Sequence, residues 1–392
     1  ALSVLEACLS HVDHQHASQA VGRLLAAEVE GMAAFLASFL SMGSHSLVLL
    51  PKVVPYLLAS SEESDGTTEP LKSVVESHGG MMGPYLVQML QLEDQALREC
   101  MARHVPVRIL LPVVLEREAV GMLPRMVTRM DHAMVQSHHQ SIVTKILAAL
   151  DERQSVEDAS VQTVCDMCLK LTEASFRPLF LRLVDWSTKG GEARRLALLK
   201  MALRLTDRLG SLFISYFRMI KDVLVAWLEE PTSGGANGAG ATKKRKKVVA
   251  RKVSVSSAVL SLALAVITKF ARISNFAEEF EELLPVVLHT LSFPAGPGSG
   301  DGEAEAEDEA EGSLEKLDPL AKQVVECLVA MAVAGNDTAW KKFNNQVLMA
   351  SRVDSARTKL ACIDTCARLA NHLKEDYMVL IPETVPFIAE LI

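Results

Sequence analysis

The chain has 392 residues, 49% of them apolar and only 5% aromatic, with a formal net charge of −8. A composition led by Leu, Ala, Val and Met favours helix packed on helix, and segments with the period-two alternation of a strand are nearly absent. The net charge argues against wholesale binding of nucleic acid, but it averages a strongly basic cluster and a strongly acidic run.

In chain order, an amphipathic helix is predicted over Ala17–Met42, with Leu24, Leu25, Met32, Phe35, Leu36, Phe39 and Leu40 along one side. The next spans Leu47–Ala59, entered through Pro51 in a first turn, where a missing N–H has no intrahelical partner to lose, and bent at Pro55. A polar loop at Ser60–Pro70 follows. Leu71–Glu118 reads as two or three shorter helices punctuated by Gly79-Gly80, Gly83-Pro84, Pro106 and Pro112. Helices are then expected over Ala119–Val135, Ser137–Leu150, Val156–Glu173, Phe176–Ser187, Glu192–Leu209 and Ser211–Glu229. Residues 230–252, rich in Gly, Ser and Ala and then basic, have nothing to bury and read as a flexible loop. Val253–Ser274 and Ala277–Leu291 form a pair. Residues 293–316 read as a second, disordered loop, Gly/Pro-rich and then acidic. Leu317–Ala334, Thr338–Ser351, Val353–His372 and Met378–Ile392 close the chain.

One signature recurs at the head of a helix. It stands as Leu49–Leu58 (LLPKVVPYLL), in shortened form as Leu283–Leu291, and as the closing stretch Val379–Leu391. Recurrence of this kind marks a helical repeat array. Val353, Ala356, Leu360, Ile363, Ala367 and Ala370 fall on one predicted stripe, the face that a neighbouring pair would cover. The fold class expected is all-α: a HEAT-like α-solenoid of stacked antiparallel helix pairs carrying two disordered loops. Irregular repeats would fill 1–160, a helical core 161–229, the basic loop 230–252, a helix pair 253–292, the acidic loop 293–316 and terminal repeats 317–392.

The chemistry of the side chains points away from catalysis. Cys165-x-x-Cys168 has metal-like spacing but lacks a second pair, and Cys362 and Cys366 stand one helical turn apart, so packing is the better reading of both. His11, His14 and His16, and His132, His138 and His139, fit no metalloprotease spacing. No phosphate-loop, dinucleotide or nucleophile-elbow motif occurs. The expectation is no catalytic, metal or cofactor residue, no cofactor and no small-molecule substrate. The longest apolar run, Ala258–Ile267, contains Ser261 and precedes Lys269, short of the roughly 20 residues that span a bilayer. With no secretory signal and seven scattered cysteines, a soluble intracellular protein with reduced thiols and no membrane partner is expected. Lys243, Lys244, Arg245, Lys246 and Lys247 form the basic cluster. It has three readings: a nuclear import signal, an electrostatic hold on RNA phosphates, or a solvated loop. The first two are favoured. Asp301–Glu311 is acidic and reads as a solubilising loop.

Phe176, Arg177, Pro178, Leu179, Phe180, Asp185 and Trp186, within FRPLFLRLVDW, resemble the middle of a known C-terminal domain. Asn336, Asp337 and Trp340, within NDTAWK, and Pro382, Pro386 and Phe387 in the closing helix resemble the end of the same family. That family is the U-three small nucleolar RNA-associated protein ten family, the large HEAT-repeat subunit of the UtpA complex in the small-subunit processome. One departure is Asn345, where the family pattern has Tyr after the preceding Asn. The resemblance implies a non-catalytic scaffold in the nucleus and nucleolus. It would support pre-rRNA processing, small ribosomal subunit biogenesis and ribosomal DNA transcription. Its implied partners are other UtpA subunits, processome proteins, the 5′ external transcribed spacer of pre-rRNA and the U-three snoRNP. The alternative is a different HEAT-repeat adaptor, such as a nuclear transport receptor or a chromosome-associated scaffold.

Overall fold

The structure, a computed structural model, describes residues 13–25, 32–41, 46–63, 68–152, 157–229, 256–273, 279–293, 317–335, 337–353 and 355–391. Among the described residues there is no strand, and no helix is long and apolar enough to cross a membrane. The chain divides into two compact units, residues 1–175 and 176–392.

The first unit holds α1 (His14–Leu25), α2 (Met32–Ser41), α3 (Ser46–Glu63), α4 (Glu69–His78), α5 (Leu86–Gln91), α6 (Gln95–His104), α7 (Val107–Glu116), α8 (Leu123–Arg129), α9 (His132–Glu152) and α10 (Glu157–Cys168). Helices α2, α4, α6, α8 and α10 pack each on the next in one row. A second row backs them, α1 against α3, and α5 against α7 against α9. The second unit repeats the arrangement. It takes in most of α11 (Glu173–Thr188), then α12 (Glu192–Leu209), α13 (Ile214–Glu229), α14 (Ser257–Ile273), α15 (Phe280–His289), α16 (Pro319–Val333), α17 (Asp337–Ala350), α18 (Ala356–Leu373) and α19 (Ile381–Leu391). Here α12, α14, α16 and α18 form one row, and α13, α15, α17 and α19 the other. Each unit is thus a two-layered HEAT-like stack in which successive helices of a row pack on one another.

Local chemistry sets several helix starts. Asp94 caps α6, accepting from the N–H groups of Ala96 at 2.7 Å and Leu97 at 3.2 Å. Asp318 caps α16 through Ala321 N–H at 3.0 Å, and Ser355 caps α18 through Thr358 N–H at 3.3 Å. Each satisfies a donor that the first helical turn leaves without a partner.

The recurring proline signature occupies the second row: α3, α15 and α19 carry it, and so does α7. In α7 Leu110-Leu-Pro-Val-Val-Leu115 repeats Leu283-Leu-Pro-Val-Val-Leu288 letter for letter, a copy missed in the sequence reading. Its paired leucines are buried, as are Leu49, Leu50, Leu283 and Leu284. Pro51, Pro55, Pro112, Pro285, Pro382 and Pro386 are all exposed. A proline on a helix's outer side leaves the freed carbonyl facing water, which makes an interior proline tolerable there.

Four expectations need correction. Helix α9 runs His132–Glu152, so the break placed between Val135 and Ser137 falls instead at Met130–Asp131. Helix α3 starts at Ser46, so Pro51 lies in its interior and not in a first turn. Four helices, α4 to α7, with 3₁₀ turns between them, occupy the stretch read as two or three. Helix α18 buries Thr358, Ala361, Cys362, Asp364, Thr365, Cys366 and Leu369, while Val353 and Ala367 of the predicted stripe are exposed. The buried face is rotated because small polar residues satisfy themselves inside it. Thr365 donates to the Ala361 carbonyl at 2.7 Å, and Asp364 accepts from Arg368 at 3.0 Å.

Candidate functional site

The FRPLF segment lies on α11. Phe176, Leu179, Phe180, Leu183 and Val184 are buried, and Arg177, Pro178 and Asp185 are exposed. Phe176 and Phe180 enter an aromatic cluster with Phe213 and Tyr216. Phe180 meets Phe213 edge-on at 5.3 Å and Phe176 meets Tyr216 edge-on at 4.7 Å. The cluster continues through Phe213 to Phe270, 5.6 Å away on α14. Such pairs add to burial through their ring quadrupoles. The segment therefore ties α11, the turn before α13, and α14 together. Asp185 pairs one turn along the same stretch with Lys189 at 2.5 Å. The Arg194 guanidinium lies over the Trp186 ring at 5.2 Å and donates to the Trp186 carbonyl at 3.2 Å. Gly190 makes room for this arm, since a Cβ there would sit 2.0 Å from Arg194 Cδ.

The second group of residues ends the chain. Asn336 lies outside the described residues, and Asp337 opens α17. Trp340 donates through Nε1 to the Ala332 carbonyl at 2.9 Å, fastening α17 to the end of α16. Asn344 is buried. It donates to Glu383 at 3.3 Å and accepts from Thr384, which also donates to the Leu380 carbonyl at 2.9 Å. Tyr377 joins this network at Thr384, 3.3 Å away. Asn345, the departure from the family pattern, donates to the other Glu383 oxygen at 2.9 Å. Two adjacent amides thereby hold one carboxylate of α19.

Pro382 stands in the first turn of α19, exposed, and Pro386 in its interior, also exposed; Phe387 is half-buried under the Arg352 guanidinium at 4.6 Å. Val385 is 56% exposed. Thr384 and Leu380 take the inward positions because Thr384 is claimed by Asn344 and Tyr377.

One polar constellation had no sequence signal. Arg357, at the start of α18, forms a two-pronged ion pair with Asp318, through Nε and, at 3.1 Å, through Nη2. Its Nη1 donates to the carbonyls of Leu291 at 2.6 Å and Phe293 at 2.7 Å. One guanidinium therefore holds the chain where it leaves α15 and where it enters α16. Burial acts to raise the Asp318 carboxyl, but the Arg357 hydrogen bond and the Ala321 N–H outweigh it and leave it lowered. The acidic run between those two points, and the whole of Lys243–Lys247, lie outside the described residues.

The described cysteines are free and buried. Burial pushes the Cys327 and Cys362 thiols up to about 12 and Cys366 to about 11, so these are not activated nucleophiles. An open groove of about 610 Å³ is lined by Arg272, Glu326, Val329, Val333, Arg368 and His372. Its two arginines are already paired, Arg272 with Glu326 at 2.6 Å and Arg368 with Asp364 at 3.0 Å.

Comparison with known proteins adds the following. Residues 129–293 match the BP28CT (NUC211) domain, and this span includes the whole FRPLF segment. An uncharacterized protein of Arabidopsis thaliana is 29% identical over 385 residues, covering 82% of this chain and 17% of its own length. HEAT repeat-containing protein 1 of Homo sapiens is 24% identical over 399 residues, 87% of this chain and 18% of that protein. U3 small nucleolar RNA-associated protein 10 of Yarrowia lipolytica is 32% identical over 115 residues, 27% of this chain and 7% of that protein. The chain spans less than a fifth of the length of these relatives.

Proposed function

We propose, from the match of residues 129–293 to the BP28CT (NUC211) domain and the similarity to HEAT repeat-containing protein 1 and U3 small nucleolar RNA-associated protein 10, that this chain is part of a non-catalytic scaffold of the small-subunit processome. In this reading it works within UtpA in the nucleolus, beside the U-three snoRNP and the 5′ external transcribed spacer, and supports pre-rRNA processing and ribosomal DNA transcription. The observation that carries it is the similarity to a U3 small nucleolar RNA-associated protein within a chain of stacked helix pairs. The mechanism is geometric. Buried rows of helices hold the exposed helix ends at fixed spacings, and those ends and loops hold partners in register. The aromatic cluster at Phe176 and Phe180 and the Asn344–Glu383 network serve that rigidity. Lys243–Lys247 supply nuclear import or a salt-sensitive contact with RNA phosphates.

Depletion of the whole protein tests this. The expected result is accumulation of unprocessed small-subunit precursor rRNA. Normal precursor levels together with a failure of cargo import would replace the reading with that of a transport adaptor.

A further inference from the structure

We propose that Glu76, Cys100 and His104 form a binding site for a divalent cation of the zinc class. Among the described residues, they are a group whose carboxylate oxygen, thiol sulfur and imidazole nitrogen all lie within 4.8 Å of one another. Cys100 and His104 stand one turn apart on α6, so their side chains leave the same face of that helix. Glu76 comes from the last turn of α4, which packs on α6. Gly79 fixes the approach of the two helices: a Cβ there would lie 2.4 Å from the His104 carbonyl oxygen. Only a residue without a side chain lets the end of α4 close so tightly on the end of α6.

The donor set selects the ion. One sulfur, one nitrogen and one oxygen suit a borderline cation such as zinc far better than calcium or magnesium, which take oxygen ligands. A thiolate and a carboxylate together balance a charge of two, and three protein ligands leave the fourth tetrahedral position to water. Tetrahedral donors stand about 3.5 Å apart at zinc–ligand lengths, so side-chain rotations of about an ångström close the set. Glu76 and His104 are exposed and free to make that movement. Cys100 is buried, and its thiol donates to the Lys72 carbonyl at 3.6 Å. Metal binding replaces that weak bond with a metal–sulfur bond, and the thiol proton leaves to solvent.

Cobalt(II) titration of the reduced, chelator-treated full chain tests the site, because cobalt bound to thiolate gives a near-ultraviolet charge-transfer band. The expected result is a band that saturates at one equivalent and is abolished by added zinc. Cys100→Ser should remove the band. His104→Gln and Glu76→Gln should weaken cobalt binding about tenfold or more, at least the loss that removing an outer-shell partner brings. Circular dichroism verifies folding, and if Cys100→Ser does not fold, the two exposed variants carry the test. Absence of the band in the folded wild-type chain, or a band of unchanged affinity in His104→Gln and Glu76→Gln, would overturn the proposal.

Discussion

Replacing Arg357 with alanine removes a guanidinium that holds Asp318 and the carbonyls of Leu291 and Phe293. Its side chain is 18% exposed and that of Asp318 12%, so both charges are largely removed from water. The substitution leaves the Asp318 carboxylate without its counter-charge and takes a donor from the Leu291 and Phe293 carbonyls. Breaking a buried pair by removing one partner costs about 3–5 kcal/mol. At roughly 2–4 °C per kcal/mol for a unit of this size, Tm should fall by about 6–20 °C. Thermal unfolding followed by circular dichroism at pH 7 reads the change. Arg357→Lys, which keeps the charge but not the fork, should fall between wild type and alanine. Asp318 has its carboxyl lowered from 3.8 in the fold, so its contribution is present above 3.8 and is lost as pH falls through the folded value. The deficit of Arg357→Ala should therefore shrink in that acidic window. Combining Arg357→Ala with Asp318→Asn should cost less than the two separate losses added together. A loss under about 1 kcal/mol at pH 7, or strict additivity with Asp318→Asn, would refute the clamp.

Phe180→Ala should destabilise the chain by about 3–5 kcal/mol, because the ring is fully buried and touches Phe176, Phe213 and Tyr216; denaturant unfolding measures it. Gly79→Ala should lose about 1–3 kcal/mol despite a helical φ of −48°, since the added Cβ meets backbone. Gly80→Ala, with nothing within 4 Å, should be neutral or stabilising, and equal behaviour of the two would contradict the packing argument. Replacing Lys243–Lys247 with serine should cause cytoplasmic retention of a fluorescent fusion, or weaker and less salt-dependent RNA binding by the purified chain. No change in either assay would make the cluster a solvated loop.

The helical texture was legible because it rests on local pattern. Glu192–Leu209 falls where its apolar period and the flanking glycines place it. Recurrent prolines marked the repeat because each needs an exposed position on a second-row helix. The tertiary polar links were not legible. Arg357 reaches a carboxylate 39 residues away and a carbonyl 66 residues away, and neither partner leaves a periodic trace. The inward face of α18 was misplaced for a related reason. Apolarity alone selected the alanines, whereas threonine and aspartate hydroxyl and carboxylate groups that bond within their own helix pack inward instead. The Glu76, Cys100 and His104 group was not legible because Glu76 lies on a different helix from the other two, and the close approach at Gly79 is a tertiary feature. FRPLF and NDTAWK, in contrast, were recognisable as strings; Phe176, Leu179 and Phe180 act in packing, and Trp340 bonds the end of α16.

The most direct test of the scaffold reading is crosslinking of the purified native particle, with protein and RNA neighbours of this chain mapped by mass spectrometry and sequencing. Protein crosslinks to processome subunits and RNA reads from the pre-rRNA 5′ external transcribed spacer or its U-three partner are the expected result. Crosslinks confined to transport factors and their cargo, with no pre-ribosomal neighbour, would contradict it.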